Sequence, residues 1–168
     1  MGTIAANVTE VDRRMLIETV RIARQAKAAG NHPFGALLAD QAGNILMEQG
    51  NEACSAGHDC AHAETLLAIR ASKAYQRSFL ATCTLYTSVE PCAMCTGALY
   101  WANIGRLVYA LSERRLLHLT GANEENPTFD LPCREVLGRG QKDIVVVGPV
   151  DDAALEAMVV ADHIGFWD

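Results

Sequence analysis

The sequence predicts a layered α/β domain in which helices cover both faces of a sheet. Three observations predict it. Short apolar runs of strand length alternate with longer stretches of helical pattern, the order that builds such layers. The 168 residues suit one domain, long enough to bury roughly 70% of its unfolded surface without disulfide staples. Half of the residues are hydrophobic and a fifth are charged, which is ordinary globular usage.

The elements follow in order. Thr9 and Asp12 form a cap signal for a first helix running to about Ala29, with Gly30 as its stop. Two strands, Pro33 to Ala39 and Asn44 to Glu48, flank a turn at Asp40 to Gly43. A polar loop, Gly50 to Asp59, leads into an apolar helical stretch from Ala61 to Ala71. Cys83 to Thr87 is a short β-rich run, followed by a helix opened by Cys92 and Cys95 and by a strand at Arg106 to Ala110. A looser stretch, Asn123 to Pro132, continues through a short helix to a strand at Asp143 to Gly148. An acidic, apolar helix from Asp151 to about His163 nearly ends the chain. No repeat, low-complexity tract or linker interrupts this order, so residues 1–168 read as a single domain.

Composition excludes several classes. No stretch approaches the ~18 apolar residues of a membrane span. Met1 to Glu10 lacks the basic segment and apolar run of a signal peptide. Six cysteines suit a secreted disulfide framework only in a shorter chain. A cytoplasmic location is expected.

The chemistry is concentrated in two segments, His62-Ala63-Glu64 and, about thirty positions later, Glu90-Pro91-Cys92-Ala93-Met94-Cys95. A catalytic zinc takes three protein ligands and leaves one position open. His62, Cys92 and Cys95 supply three such ligands. The cysteines stand three apart, so on the first turn of a helix both point to one side. Pro91 suits the start of that helix, where a missing N–H costs nothing. A helix N-terminus also favours negative charge and helps the sulfurs ionise. Glu64 can reach a bound water without being a ligand, and bound zinc lowers that water's pKa towards about 7. A lone Cys-x-x-Cys also suits a redox pair or half of a structural zinc site, with Cys54, Cys60, Cys83 or Cys133 as a fourth ligand. Such a site has no use for Glu64.

The H-x-E…P-C-x-x-C pattern resembles the signature of zinc-dependent base deaminases. From about Asn31 to Ala110 the chain resembles the cytidine deaminase superfamily, in the branch of bacterial guanine deaminases, tRNA adenosine deaminases and fungal cytosine deaminases. The segments that carry this are His32-Pro33-Phe34-Gly35-Ala36, Gly50-Asn51-Glu52, Ala61-His62-Ala63-Glu64, Leu85-Tyr86-Thr87-Ser88, Glu90 to Cys95 and Gly97-Ala98. The resemblance implies a three-layer α/β/α sandwich with a mixed five-stranded sheet, one Zn2+ per subunit, and homodimers or larger assemblies. It implies that His62, Cys92 and Cys95 hold zinc. Glu64 would take the water's proton and deliver it to the ring nitrogen and the leaving ammonia. It also implies that Asn51 contacts the substrate and places Phe34 near the base. As residues alone, Asn51 suits a turn and Phe34 a strand core. His32 and His58 lack the motif's spacing and are expected as surface or loop histidines.

Charge separates the candidate substrates. The chain is net −6, and its last eighteen residues contain five acids and no Lys or Arg. Nucleic-acid binders usually present a basic face, and the tRNA adenosine deaminases it resembles typically have a basic C-terminal helix. Arg13-Arg14 and Arg114-Arg115 read as solvated helix faces. The expected function is therefore hydrolytic deamination of a free nucleobase, guanine to xanthine with ammonia released. The alternatives are tRNA adenosine, cytosine or an amino-triazine as substrate. From another class stands a non-catalytic zinc-stabilised scaffold subunit, which the presence of Glu64 disfavours. The expected partners are a small base and a second copy of the chain, without nucleic acid or membrane.

Phe166-Trp167-Asp168 closes the sequence. Aromatics at a chain end need a surface to hold them, and by residue type alone they suit packing on the outer helices. The resemblance implies C-terminal residues over the active site, in the guanine branch from a partner subunit. Trp167 is thus expected to cover the base, with Asp168 near the substrate's amine.

Overall fold

The computed structural model describes residues 3–5 and 7–168. Met1, Gly2 and Ala6, part of the opening stretch read as free of a leader, lie outside the described residues. The chain begins with a short strand β1 (Thr3–Ala5) and a long helix α1 (Glu10–Ala28). Thr9 and Asp12 cap α1 reciprocally: the Thr9 hydroxyl accepts from the Asp12 amide at 3.1 Å, and the Asp12 carboxylate from the Thr9 amide at 2.9 Å. Two amides without helical partners are satisfied this way. The hairpin β2 (Gly35–Ala39) and β3 (Ile45–Gly50) follows. Asp40 Oδ1 builds its turn by accepting from the amides of Ala42 and Asn44, each at 2.9 Å. A one-turn helix α2 (Ala53–Ala56) interrupts the polar loop, and then come α3 (Ala63–Ala74), α4 (Arg77–Leu80) and β4 (Thr84–Val89). The remainder runs α5 (Ala93–Trp101), β5 (Arg106–Leu111), α6 (Glu113–Thr120), α7 (Cys133–Leu137), β6 (Ile144–Val147) and α8 (Ala153–His163).

The sheet order is β1-β6-β5-β4-β2-β3. Strand β2 runs antiparallel to β3 and β4, while β4, β5, β6 and β1 are parallel to one another. Five of these strands form the mixed sheet expected, and β1 adds a sixth at the edge. Every residue of β2 and β4 is buried; β2 accordingly reads as an apolar run, while β4 buries Thr84, Thr87 and Ser88 among its apolar residues.

Two apolar clusters hold the layers together. On one face Leu67, Leu99 and Leu137 of α3, α5 and α7 pack with Leu38, Leu85 and Leu107. On the other, Leu16 and Val20 of α1, Leu116 of α6 and Leu155 and Val159 of α8 pack with Leu37, Tyr86 and Val108. Gly35 sets how closely α1 lies on β2, since a Cβ there would sit 2.3 Å from the Thr19 carbonyl oxygen. Asp12 ties α1 to the sheet, accepting from Arg106 at 2.6 and 2.7 Å and from the Tyr86 hydroxyl at 2.7 Å. Burial would raise its pKa, but these bonds and the Arg106 charge lower it to about 2. The Arg114 and Arg115 pair lies on exposed faces of α6, pairing with Asp130 and Glu156, as expected of a solvated helix.

Candidate active site

The site forms at the C-terminal edge of the parallel strands, where β4 feeds Glu90–Cys92 into α5. His62 and Cys92 are the N-cap residues of α3 and α5, and Cys95 lies on the first turn of α5. Two helix starts thus converge. The His62 Nδ1 atom lies 3.6 Å from Cys92 Sγ and 3.5 Å from Cys95 Sγ. Tetrahedral zinc with ordinary Zn–S and Zn–N bonds separates such atoms by about 3.6 Å. Among the described residues this is the one group of three or more His, Cys, Asp or Glu donors able to hold a metal, and Cys54, Cys60, Cys83 and Cys133 stand outside it. The donors therefore fit zinc with an open fourth position, the arrangement of a reactive site. Cys92 is the sulfur that ionises first, held low by hydrogen bonds from Cys95 and His62 against the effect of burial. Thr65 Oγ1 donates to Cys95 Sγ at 3.2 Å.

Glu64 is 5% exposed. Its Oε1 lies 2.7 Å from the Thr87 hydroxyl and its Oε2 3.5 Å from Cys95 Sγ. Burial raises its pKa, while the Thr87 bond and the His62 charge oppose the rise. A carboxyl so placed readily holds and releases a proton.

These groups open onto a cavity of about 640 Å³. His62, Glu64 and Cys92 line it, and Phe34 and Asn51 lie on the same wall system. Asn51 is both turn and wall: its Oδ1 accepts from the Ala53 amide at 3.0 Å, an Asx turn. Phe34 likewise serves twice, facing the cavity while packing on the α1 side of the core. The cavity is acidic. Asp59, Glu64, Glu90, Glu113, Glu124 and Glu125 line it, and no Lys or Arg does.

His32 lies on a loop, as expected, but not on the surface. His32 is a buried cavity residue, 9% exposed, with Nε2 3.4 Å from Glu125 Oε2. Its burial comes from the chain's end, whose Trp167 and Phe166 rings lie 5.1 and 6.0 Å away, so no local spacing announces it. His58 is an exposed loop residue, as expected. Trp167 does not line the cavity of its own chain, and neither does the exposed Asp168. Instead Gly165, at φ +71°, folds the tail back after α8. Trp167 Nε1 then donates to His163 Nδ1 at 3.2 Å, and Asn123 Nδ2 donates to the Trp167 carbonyl at 2.6 Å. A buried indole N–H needs such an acceptor. Burial, with a smaller push from Lys27, lowers the pKa of His163 to about 4 and keeps it neutral. Trp167 thereby stands behind His32 and Phe34, with its ring 6.0 Å from that of Phe34.

Two further acids have roles that the sequence does not announce. Glu90 accepts from the Glu113 amide at 2.9 Å and the Cys133 amide at 2.8 Å, anchoring the starts of α6 and α7 beside the site. Glu113 itself is buried on the cavity wall. Only its helix-starting position after Ser112 could have signalled it.

The chain is similar to known proteins. Residues 9–111 match the family described as the cytidine and deoxycytidylate deaminase zinc-binding region. A Schizosaccharomyces pombe protein named probable cytosine deaminase is 38% identical over 164 residues, covering 98% of this chain and 97% of the relative. Guanine deaminase of Bacillus subtilis is 41% identical over 78 residues, 46% of this chain and 49% of that one. A solved guanine deaminase of Nitrosomonas europaea superposes with a TM-score of 0.68 at 22% identity, covering 94% of this chain and 87% of that one. That last likeness speaks for the fold alone.

Proposed function

The chain belongs to the cytidine and deoxycytidylate deaminase family of zinc-binding domains, and from that premise we propose that it hydrolytically deaminates a free nucleobase or related amino-heterocycle, with guanine to xanthine as the first candidate. The observation that carries this reading is the cavity beside the His62, Cys92 and Cys95 donors, walled by carboxylates and free of Lys and Arg. A phosphate-bearing substrate would meet acidic residues there, with no Lys or Arg to pair its phosphate. A neutral base needs no such pairing.

His62, Cys92 and Cys95 hold one zinc per subunit in this reading. Zinc bound there supplies a water acidified towards a pKa of about 7 and a Lewis acid beside the reacting carbon. Glu64 would carry one proton of the attacking water to the ring nitrogen, and then the remaining hydroxyl proton to the departing amine. One water is consumed, the exocyclic C–N bond breaks, and a carbonyl and ammonia result. Phe34 offers its ring to the base, and Asn51, fixed by its own turn, orients it. Trp167 serves by holding Phe34 and His32 from behind.

Cytosine is the second reading, favoured by the near full-length likeness to the probable cytosine deaminase. A homodimer in a reducing cytoplasm completes the proposal. Met94 and Trp101 lie seven positions apart on α5 and are both exposed, a helix face suited to a second copy of the chain. An ammonia-release screen of the zinc-loaded protein tests the substrate, using guanine, cytosine, adenine, their nucleosides and amino-triazines. Turnover of a free base well above its nucleoside is expected. Preference for nucleosides or for tRNA adenosine would overturn the reading.

A further inference from the structure

Glu113 is an acid that the chemistry above leaves unused. It opens α6, is 3% exposed and lines the same cavity as Glu64 and Cys92. Its Oε2 atom is buried without a hydrogen-bond partner among the described residues. Its main chain, by contrast, is fixed. The Glu113 amide donates to Glu90 Oε2 at 2.9 Å, and Glu90 Oε1 also accepts from Cys133 at 2.8 Å. Glu90 is thus fully occupied in joining α6 and α7, and it presents Glu113 on a rigid support. Buried carboxyl oxygens are nearly always paired, and one left unpaired is destabilising. An unpaired acceptor in a cavity wall is therefore matched to a donor that arrives with the bound molecule. Burial, reinforced by the charges of Cys92, Glu90 and Glu64, raises the pKa of Glu113 to about 9. A carboxyl oxygen accepts a hydrogen bond in either protonation state.

We propose that Glu113 determines specificity by accepting a hydrogen bond from a ring N–H of the bound heterocycle, distinct from the amine that leaves. The inference rests on the deaminase reading of this cavity and narrows its substrate class. Bases that carry a ring N–H are admitted, and those whose corresponding nitrogen is alkylated or glycosylated are rejected. A site built around a polar partner discriminates strongly, because the partnerless analogue leaves the buried group unpaired again.

The test measures equilibrium binding by calorimetry, with zinc-loaded protein carrying Glu64→Gln to prevent turnover. The probes are guanine, cytosine and the ring-N-methylated isomers of each. On this background Glu113→Leu is expected to weaken binding of the best parent base about 10- to 100-fold, the range of one hydrogen bond to such a group. Glu113→Gln keeps a carbonyl acceptor and should bind within a few-fold of the parent protein. One methylated isomer should bind poorly when Glu113 is present, and the parent base should lose its advantage over that isomer in Glu113→Leu. Zinc content and melting temperature establish that each variant is folded. Unchanged affinity in a folded Glu113→Leu overturns the inference and leaves the deaminase reading standing. If Glu113→Leu does not fold, the methylated series on Glu113-containing protein decides. Equal binding of parent and every isomer means that no ring N–H is read, which overturns the inference. Failure of the unsubstituted protein to bind or deaminate any base overturns the deaminase reading, and the inference with it.

Discussion

Glu64 lies 2.7 Å from the Thr87 hydroxyl and 3.5 Å from a metal-facing sulfur, so it can shuttle a proton without filling a ligand position. Its replacement and that of a ligand should therefore fail differently. Glu64→Gln is expected to keep zinc and fold while turnover falls at least ~10²-fold, the scale of a lost general acid–base. Cys92→Ala should lose the metal. Zinc content by atomic absorption, measured beside ammonia release, separates the two, and near-normal turnover in Glu64→Gln would refute the proton-transfer role. The residues involved were legible because metal geometry imposes short spacings on helix starts: His62 and Glu64 are two apart, Cys92 and Cys95 three. His32, Glu113 and Glu125 were not. They reach the cavity from a loop, a helix start and a distant loop, and only the packing of α6 and the tail brings them there.

Among the elements, those long enough to show a period were readable. The cap at Thr9, the hairpin turn at Asp40 and the run of β4 all announce themselves within a few residues. Strand β1 has three residues, and α2 and α4 have four each, too few for any periodicity to emerge. They exist because neighbouring structure holds them. The link between α1 and the sheet has a pH signature. The Asp12 carboxyl is held at about 2 in the folded protein against an ordinary 3.8, a difference of about 2 kcal/mol by linkage. Because the folded pKa is depressed, this stability is complete above pH 3.8 and disappears as pH falls towards 2. Asp12→Asn should accordingly cost about 2 kcal/mol in urea unfolding at neutral pH. At pH 2 the variant and the parent should converge. An equal deficit at both would show that the loss is steric and not ionic.

Across the whole molecule, negative charge dominates both the surface and the cavity. The chain is net −6, the cavity has no Lys or Arg on its wall, and Arg13, Arg21, Arg24, Arg114 and Arg115 are each already paired with a carboxylate. A tRNA anticodon stem-loop is expected to bind weakly at physiological salt, with a shallow dependence of affinity on salt. Fluorescence titration at several ionic strengths tests this, and tight binding that collapses steeply with salt would contradict it. The docked tail gives the molecule another property. Its two tryptophans are opposites, Trp101 being 76% exposed and Trp167 6%. Trp167 sits beside His163 and one ring behind Phe34 and His32, which face the cavity. Trp101→Phe would leave a single emitter directly behind the cavity's lining residues, so that the protein reports its own occupancy optically. The same emitter would register acid. His163 is held near pKa 4 against an ordinary 6.5, so the tail's docking is complete above pH 6.5 and weakens as pH falls towards 4, and the emission of Trp167 would shift to the red as water reaches the indole.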